Sequence, residues 1–269
     1  MSLKFESYET VAEASAAVED GDESVQYHGG GSLLVRRVNE GDLSISTMVR
    51  STDPSLKAIE IADNQVILGA SVTMAEVMRH PELGFLNYVV RSIGGPAVRN
   101  MATVGGNLFA PTPYGDFTVG LLALDAKLVV DGDEVSVEEF LAEREGKYAG
   151  KIVKSISFDV PSAGRFRFLK ATRVRPRGTS IVSIAAVLEH ADGTISAARI
   201  GFGCMSDRPI RAKAVEAALL GQALDEEGIA PALAVALEGT DPVTDSIASA
   251  WYRSKVLPIH LRRLLLDNE

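Results

Sequence analysis

The 269-residue sequence predicts an α+β protein, and three observations carry that prediction. Short strand patterns mix with short helical ones through the first third. Residues 166–202 read as a run of strands, and residues 212–266 as a run of helices. Strands grouped ahead of helices mark the α+β class. The Ser162-Ala163-Gly164 stretch separates the two regimes, so we expect a first domain over 1–163 and a second over 164–269.

Taken in order, residues 11–18 have alanine-rich helical spacing, and 24–28 form a strand running into Gly29, Gly30 and Gly31. Ser32 follows, with a hydroxyl suited to capping a helix start. Residues 58–62 and 65–68 read as strands separated by the turn-forming pair Asp63-Asn64. Thr73 and Glu76 have capping-box spacing and open a helix through Met78. From Ile93 to Asp116 regular periodicity stops, interrupted by Gly94, Gly95, Pro96, Gly105, Gly106, Pro111, Pro113 and Gly115. A loop-rich stretch this long inside a compact domain is usually functional. Residues 117–124 then read as a short apolar helix, 127–130 as a strand, and 152–160 as another, ended by Pro161. In the second unit, 166–171 and 181–189 are strands. Asp192-Gly193 turns the latter back into 194–202 as an antiparallel hairpin. Helices are expected at 212–220, 226–237 and 246–266.

Composition excludes several classes. With 27 Lys+Arg against 36 Asp+Glu, the net charge is −9, which argues against general nucleic-acid binding. The single cysteine, Cys204, cannot form an internal disulfide, a four-cysteine zinc site or an iron–sulfur cluster, and within Gly201-Phe202-Gly203-Cys204 it reads as a small core residue. His28, His80, His190 and His260 lack metal-ligand spacing, so no metal is assigned. No run approaches the ~18 to 20 apolar residues of a membrane span. The opening residues lack a secretory pattern, and a cytoplasmic location is expected.

Two glycine clusters are the candidate binding elements. Gly29-Gly30-Gly31-Ser32 lies between a strand and a helix, where bare backbone N–H groups can approach a phosphate. Leu34 occupies the third position of a G-x-G-x-x-G fingerprint, so the dinucleotide motif fails, and no Walker A lysine follows. A plain tight turn is the alternative. Thr103-Val104-Gly105-Gly106-Asn107 is similar, and two such clusters in one domain favour a ligand with a pyrophosphate and a long body. Between Pro161 and Leu188 there is no acidic residue, while Arg165, Arg167, Lys170, Arg173, Arg175 and Arg177 crowd together. These cations form either a solvated, protective strand edge or a wall facing an anionic ligand or an acidic partner.

These residues carry a family resemblance. The segment from Ile93 to Asn107 resembles the second flavin loop of FAD-binding subunits of molybdenum hydroxylases, worded I-G-x-x-Q-[IV]-R-N-x-[AG]-T-[IV]-G-G-N, with Ala97 replacing Gln. That family includes the carbon monoxide dehydrogenase medium subunit and the flavin domain of xanthine dehydrogenase. The segment from His28 to Leu34 is similar to the first loop, A-G-G-[QT]-[SD]-L-L, with His28 replacing Ala. Ile67 to Glu76, Pro113 to Asp116, Leu121 to Ala126 and Ala250 to Arg253 also fit, in order along the chain.

The resemblance implies FAD bound without a Rossmann fold. It implies a vanillyl-alcohol-oxidase-like (PCMH-type) first domain with lobes of about 1–54 and 55–163, then an antiparallel sheet with three helices. Gln26, Tyr27, His28, Gly29, Gly30, Gly31, Ser32 and Leu33 would form the first loop, with backbone amides and Ser32 at the pyrophosphate. Thr103, Val104, Gly105, Gly106 and Asn107 would form the second. Asp116 would lie on the adenosine side, Ile93 would be an apolar contact, and Lys170 would reach the flavin from the second domain. The plainer alternatives are a helix-capping Asp116 and a solvated Lys170. Where an aromatic beside the isoalloxazine is often found, this chain offers Thr179, Ser180 and Ile181.

The implied function is electron transfer within a complex, with no acid–base catalytic residue. A large molybdopterin subunit and a small [2Fe–2S] subunit would be the partners, in a dimer of heterotrimers. Electrons would leave for NAD+, a quinone or oxygen. A self-sufficient flavoprotein oxidase or dehydrogenase, and a structural subunit that has lost FAD, are the alternatives.

Overall fold

The computed structural model describes residues 3–174 and 178–266, whose strands form three sheets. The first contains β1 (Lys4–Tyr8), β2 (Val25–Tyr27) and β3 (Thr47–Ser51) in the order β1-β3-β2, all parallel. Parallel neighbours need crossover connections, and α1 (Val11–Glu19) and α2 (Leu34–Asn39) lie in those connections. Thr10 and Glu13 cap α1 reciprocally, and Ala14 and Val18 bury its apolar side beside Val49 and Ile152. Ser32 does not cap α2: Leu33 holds the cap position, and no side chain bonds there. The Ser32 hydroxyl is left to the loop.

The second sheet is antiparallel, in the order β4-β5-β8-β6-β7. Its strands are β4 (Ile59–Ala62), β5 (Gln65–Gly69), β6 (Lys127–Val130), β7 (Asp133–Ser136) and β8 (Val153–Asp159). Asp63 and Asn64 both take positive φ, 49° and 68°, as the tight hairpin between β4 and β5 requires. Between β5 and β6 come α3 (Met74–Arg79), α4 (Asn87–Ser92), α5 (Pro96–Arg99), α6 (Val104–Asn107) and α7 (Asp116–Ala123), and α8 (Val137–Ala142) follows β7. The expected capping box opens α3, with Thr73 N–H donating to Glu76 Oε2 at 2.7 Å. The stretch without periodicity holds two four-residue helices, too short for a repeating apolar face to register.

The third sheet, β12-β11-β10-β9, is also antiparallel. It contains β9 (Phe166–Thr172), β10 (Ser180–Ala191), β11 (Thr194–Gly203) and β12 (Ile210–Arg211), followed by α9 (Lys213–Leu219), α10 (Ala230–Ala234) and α11 (Ala250–Leu266). The helix expected over 226–237 shrinks to α10. Gly228 donates its N–H to Asp225 Oδ1, its backbone lies against the Ala223 carbonyl, and Pro231 brings no N–H. The helix expected from 246 starts at 250 because Asp245 Oδ1 holds the N–H groups of Ile247 and Ala248 in a turn.

Strand β10 belongs to two cores. Val182, Ile184, Ala186 and Leu188 pack in the cluster that includes α9–α11, whereas Ala185 and Val187 join the cluster around Leu68, Phe117 and Ile156. Helix α7 sits between, buried at every position from Phe117 to Ala123. Glycine permits its close approach to the sheet: a Cβ on Gly201 would lie 2.6 Å from the Val119 carbonyl oxygen.

A polar latch joins the same regions. Tyr114 Oη donates to Asp245 Oδ2 at 2.6 Å, and the wholly buried Arg253 donates to Asp245 Oδ2 and to the Ile181 carbonyl, both at 2.8 Å. Burial alone would raise the Asp245 carboxyl. The Tyr114 hydroxyl, the N–H groups of Ala248 and Ile247 and the Arg253 cation outweigh it and pull the pKa to about 2. Burial, helped by nearby carboxylates, pushes the Cys204 thiol up to about 12, in keeping with its core position. Because Asp245 titrates below its unfolded value of 3.8, the stability it contributes is complete above about pH 5 and is lost as pH falls through about 4 toward 2. Urea midpoints measured against pH should show this acid-side loss in the native chain and a smaller one in Asp245→Asn, which starts from a lower midpoint.

Candidate functional site

The first loop leaves β2 at Tyr27. His28 donates its N–H to the Val49 carbonyl at 2.6 Å, and the chain then turns away through the three glycines. Gly30 runs directly over the second loop: a Cβ there would lie 1.6 Å from the Met101 carbonyl oxygen, which no side chain can satisfy. A Cβ on Gly29 would lie 3.3 Å from Thr103 Oγ1. The two glycine clusters, far apart in sequence, are therefore stacked on each other. Among the described residues, none accepts a hydrogen bond from the backbone N–H of Gly29, Gly30, Gly31 or Ser32. These four donors are available to an anion.

The second loop is the converse. Thr103 pairs with Thr73 in a short antiparallel bridge, and Met74 N–H donates to the Ala102 carbonyl. The N–H groups of Val104, Gly105 and Asn107 donate to the carbonyls of Val72, Ala70 and Thr103, and that of Gly106 donates to Thr103 Oγ1 at 3.0 Å. Gly105 is obligatory, since its Cβ would lie 2.7 Å from that of Ala70. Asn107 Oδ1 accepts from Thr118 N–H at 3.0 Å, which ties the loop to α7. The second loop thus shapes the site, and the first holds its unused donors.

Around this pair lie the other expected residues. Half-buried Ile93 precedes a turn braced by Arg99, whose guanidinium donates to the carbonyls of Ile93 and Gly94. Gln26 turns its amide to the Glu23 carbonyl, and burial raises the Tyr27 phenol pKa. Asp116 and Lys170 come together as an ion pair at 2.7 Å, with side chains only 12% and 10% exposed. The same ammonium donates to the Ser92 carbonyl at 3.0 Å, and Ser180 Oγ donates to Asp116 Oδ1 at 2.6 Å. Asp116 makes no helix-capping bond. Sequence reasoning missed Ser92 and Met101, and named Ser180 as one of the residues where an aromatic is often found rather than as a partner of Asp116. Ser92 and Met101 act through carbonyl oxygens, which every residue type supplies, so nothing in the sequence marks them.

Of the four cations of the basic stretch that lie in the described residues, three meet partners. Arg167 donates to the carbonyls of Leu264 and Leu265 at the end of α11, Arg165 lies 4.0 Å from Glu189, and Lys170 holds Asp116. Arg173 is exposed; Arg175 and Arg177 lie outside the described residues.

His28 departs from the loop wording quoted above, and its ring lies against Gly31. A Cβ on Gly31, φ +73°, would lie 2.4 Å from His28 Nε2, so the imidazole fills the space of a side chain at 31. Burial lowers the His28 pKa, and the Arg50 charge lowers it further. Among the described residues, no group of three His, Cys, Asp or Glu could hold a metal ion, and no helix is long and apolar enough to cross a membrane.

Stacked glycine loops, open backbone donors and the Asp116–Lys170 ion pair together form the candidate site, whose chemistry suits an extended group bearing phosphates. Comparison with known proteins identifies that group. Residues 2–161 match the FAD binding domain in molybdopterin dehydrogenase, and 167–267 match the CO dehydrogenase flavoprotein C-terminal domain. The chain therefore belongs to the family of FAD-binding subunits of molybdenum hydroxylase-type dehydrogenases. It is 25% identical to the glyceraldehyde dehydrogenase medium chain of Sulfolobus acidocaldarius, over 93% of this chain and 92% of that one. It is 26% identical to the carbon monoxide dehydrogenase medium chain of Afipia carboxidovorans, over 77% and 76%. In fold, it matches a chain of reconstituted CO dehydrogenase from Oligotropha carboxidovorans with a TM-score of 0.89 at 23% identity, covering 98% and 96% of the two chains. A chain of quinoline 2-oxidoreductase from Pseudomonas putida 86 matches at 0.87 and 23% identity, covering 100% and 97%.

Gly30→Ala should force the two loops apart while leaving both cores intact. The expected loss of FAD affinity is roughly thirtyfold, from about 2 kcal/mol of overpacking. Fluorescence titration, with circular dichroism as the check on folding, measures it.

Proposed function

We propose that this chain is the electron-transfer subunit of a molybdenum hydroxylase-type complex, accepting electrons from [2Fe–2S] clusters on a small partner and passing them to NAD+, a quinone or oxygen. The partners would be that small subunit and a large molybdopterin subunit, arranged as a dimer of heterotrimers in the cytoplasm. The division into 1–163, with lobes of about 1–54 and 55–163, and 164–269 belongs to the same reading. The observation that carries it is the stacking of Gly30 on the Met101 carbonyl, which builds one cradle from two distant loops.

The residues fit FAD. The free N–H groups of Gly29, Gly30, Gly31 and Ser32, with the Ser32 hydroxyl, would hold the diphosphate. Thr103, Val104, Gly105, Gly106 and Asn107 would form the wall against which it lies, and Ile93 would give an apolar contact. Gln26, Tyr27 and Leu33 would set the entry and exit of the first loop. Lys170 and Asp116 would meet the cofactor from the interface between the domains. When bound, FAD supplies the link between one-electron donors and a two-electron acceptor; the protein contributes position and electrostatic environment. Exposed Val98, Met101 and Phe109 around the second loop support a partner surface there.

Reconstitution of the purified chain with FAD should give flavin absorption bands and diaphorase-like activity with artificial donors, without turnover of a substrate by the chain alone. No flavin bands would remove the electron-transfer reading, and substrate turnover by the isolated chain would favour a self-sufficient enzyme. Lys170→Ala strands a nearly buried carboxylate and should cost about 3 kcal/mol in urea unfolding of the apo chain. It should also weaken FAD binding, whereas Arg173→Ala at an exposed position should leave both measurements unchanged.

A further inference from the structure

We propose that the cavity between β9 and α11 is a binding site for a small organic carboxylate, with Arg263 and His260 holding the carboxylate and Leu169, Ile181 and Val256 its apolar body. The inference is independent of the FAD reading, because the cavity lies on the face of β9 opposite the Asp116–Lys170 pair.

Position is the first ground. Side chains alternate across a strand. Lys170 turns its ammonium to Asp116 and the Ser92 carbonyl, whereas its neighbour Leu169 packs into the cluster that includes α11. Tyr252, Val256, His260 and Arg263 recur every three or four residues and so form one stripe along α11. Between that stripe and Leu169 and Ile181 lies a cavity of about 250 Å³. That volume is below the roughly 300–1,000 Å³ of sites for drug-sized ligands and suits a small acid.

Charge is the second. No Asp or Glu lines the cavity, and α11 contains none from Ala250 to Leu266. Two basic side chains, Lys170 and Arg263, are among the lining residues. Lys170 is neutralised by Asp116, while the Arg263 guanidinium makes no hydrogen bond or ion pair among the described residues. One uncompensated positive charge calls for a monoanion. The planar guanidinium fork matches a carboxylate through two parallel bonds. A phosphate dianion would bring a second negative charge without a partner.

His260 supplies a neutral donor beside that cation. Burial lowers its pKa and the Arg263 charge lowers it further, so the ring is uncharged at neutral pH. Its Nδ1 is buried without a hydrogen-bond partner. A proton there would be a buried donor lacking an acceptor, the costlier form of an unmade bond, so the proton is on Nε2. His260 lines the cavity, and with Nδ1 sealed off, Nε2–H is the group it offers to a ligand oxygen.

The test is a proton NMR titration of the full-length chain with benzoate, reading the His260 ring resonance, which His260→Phe assigns. Benzoate should shift that resonance saturably, and its uncharged isostere benzamide should bind at least about tenfold more weakly. Arg263→Gln, at an exposed position, should keep the native melting temperature and weaken benzoate binding about tenfold. Lys255→Gln, at an exposed position of the same helix outside the cavity, should leave the affinity unchanged. Absence of a saturable His260 shift, or equal affinity for benzoate and benzamide, would overturn the proposal. Inorganic phosphate binding as tightly as benzoate would overturn it too. Equal losses in Arg263→Gln and Lys255→Gln would show a diffuse positive field in place of a site.

Discussion

The carboxylate of Asp116 joins three stretches of chain that are far apart in sequence. One oxygen takes the ammonium of Lys170 from β9 and the other takes the hydroxyl of Ser180 from β10, while the same ammonium also holds the Ser92 carbonyl at the end of α4. Opposite charges at this separation attract by several kcal/mol at an effective dielectric near ~20, before the cost of desolvation. With both side chains nearly buried, breaking the pair leaves a charge that water cannot readily solvate. The start of α7, the turn at Ile93 and the edge of the third sheet are fixed relative to one another by this constraint. The second loop follows, because Asn107 is bonded to Thr118 in the first turn of the same helix.

The two glycine clusters do different work despite similar composition. In the second, neighbouring carbonyls and the Thr103 hydroxyl take the backbone donors, so its glycines serve close packing against Ala70 and its own cap. In the first, the donors are left open and the glycines serve approach, with Gly30 pressed on Met101 and Gly31 giving way to His28. A rigid wall opposite a row of open donors is a way to hold a long anionic cofactor while ordering little on binding.

Charge is used locally. The acid-free segment suggested a wide positive field, yet Arg167 closes the carbonyl end of α11 and Lys170 is neutralised by Asp116. Steering of an anion over long distance needs exposed charge, and within the described part of this segment the exposed cation is Arg173.

Local patterning alone marked the hairpins at Asp63-Asn64 and Asp192-Gly193, the capping box at Thr73 and the two glycine clusters, because each depends on residues within a few positions of one another, whereas the strands β1, β3 and β7 and the helix α8 went unread. The family resemblance rested on the same short windows. The parallel first sheet and the double life of β10 were not readable, since both depend on which distant faces meet. The helix at 226–237 failed where a side-chain bond from Asp225 and the close approach of Gly228 to Ala223 overrode periodicity. Asp116 and Lys170 were recognisable singly, but only the tertiary structure made them partners. Likewise, only three-dimensional packing joined His28 to Gly31 and Gly30 to the Met101 carbonyl. The physical reason is the same throughout: sequence records which groups a segment can offer, whereas burial and close approach decide which of those groups remain unpaired for a ligand.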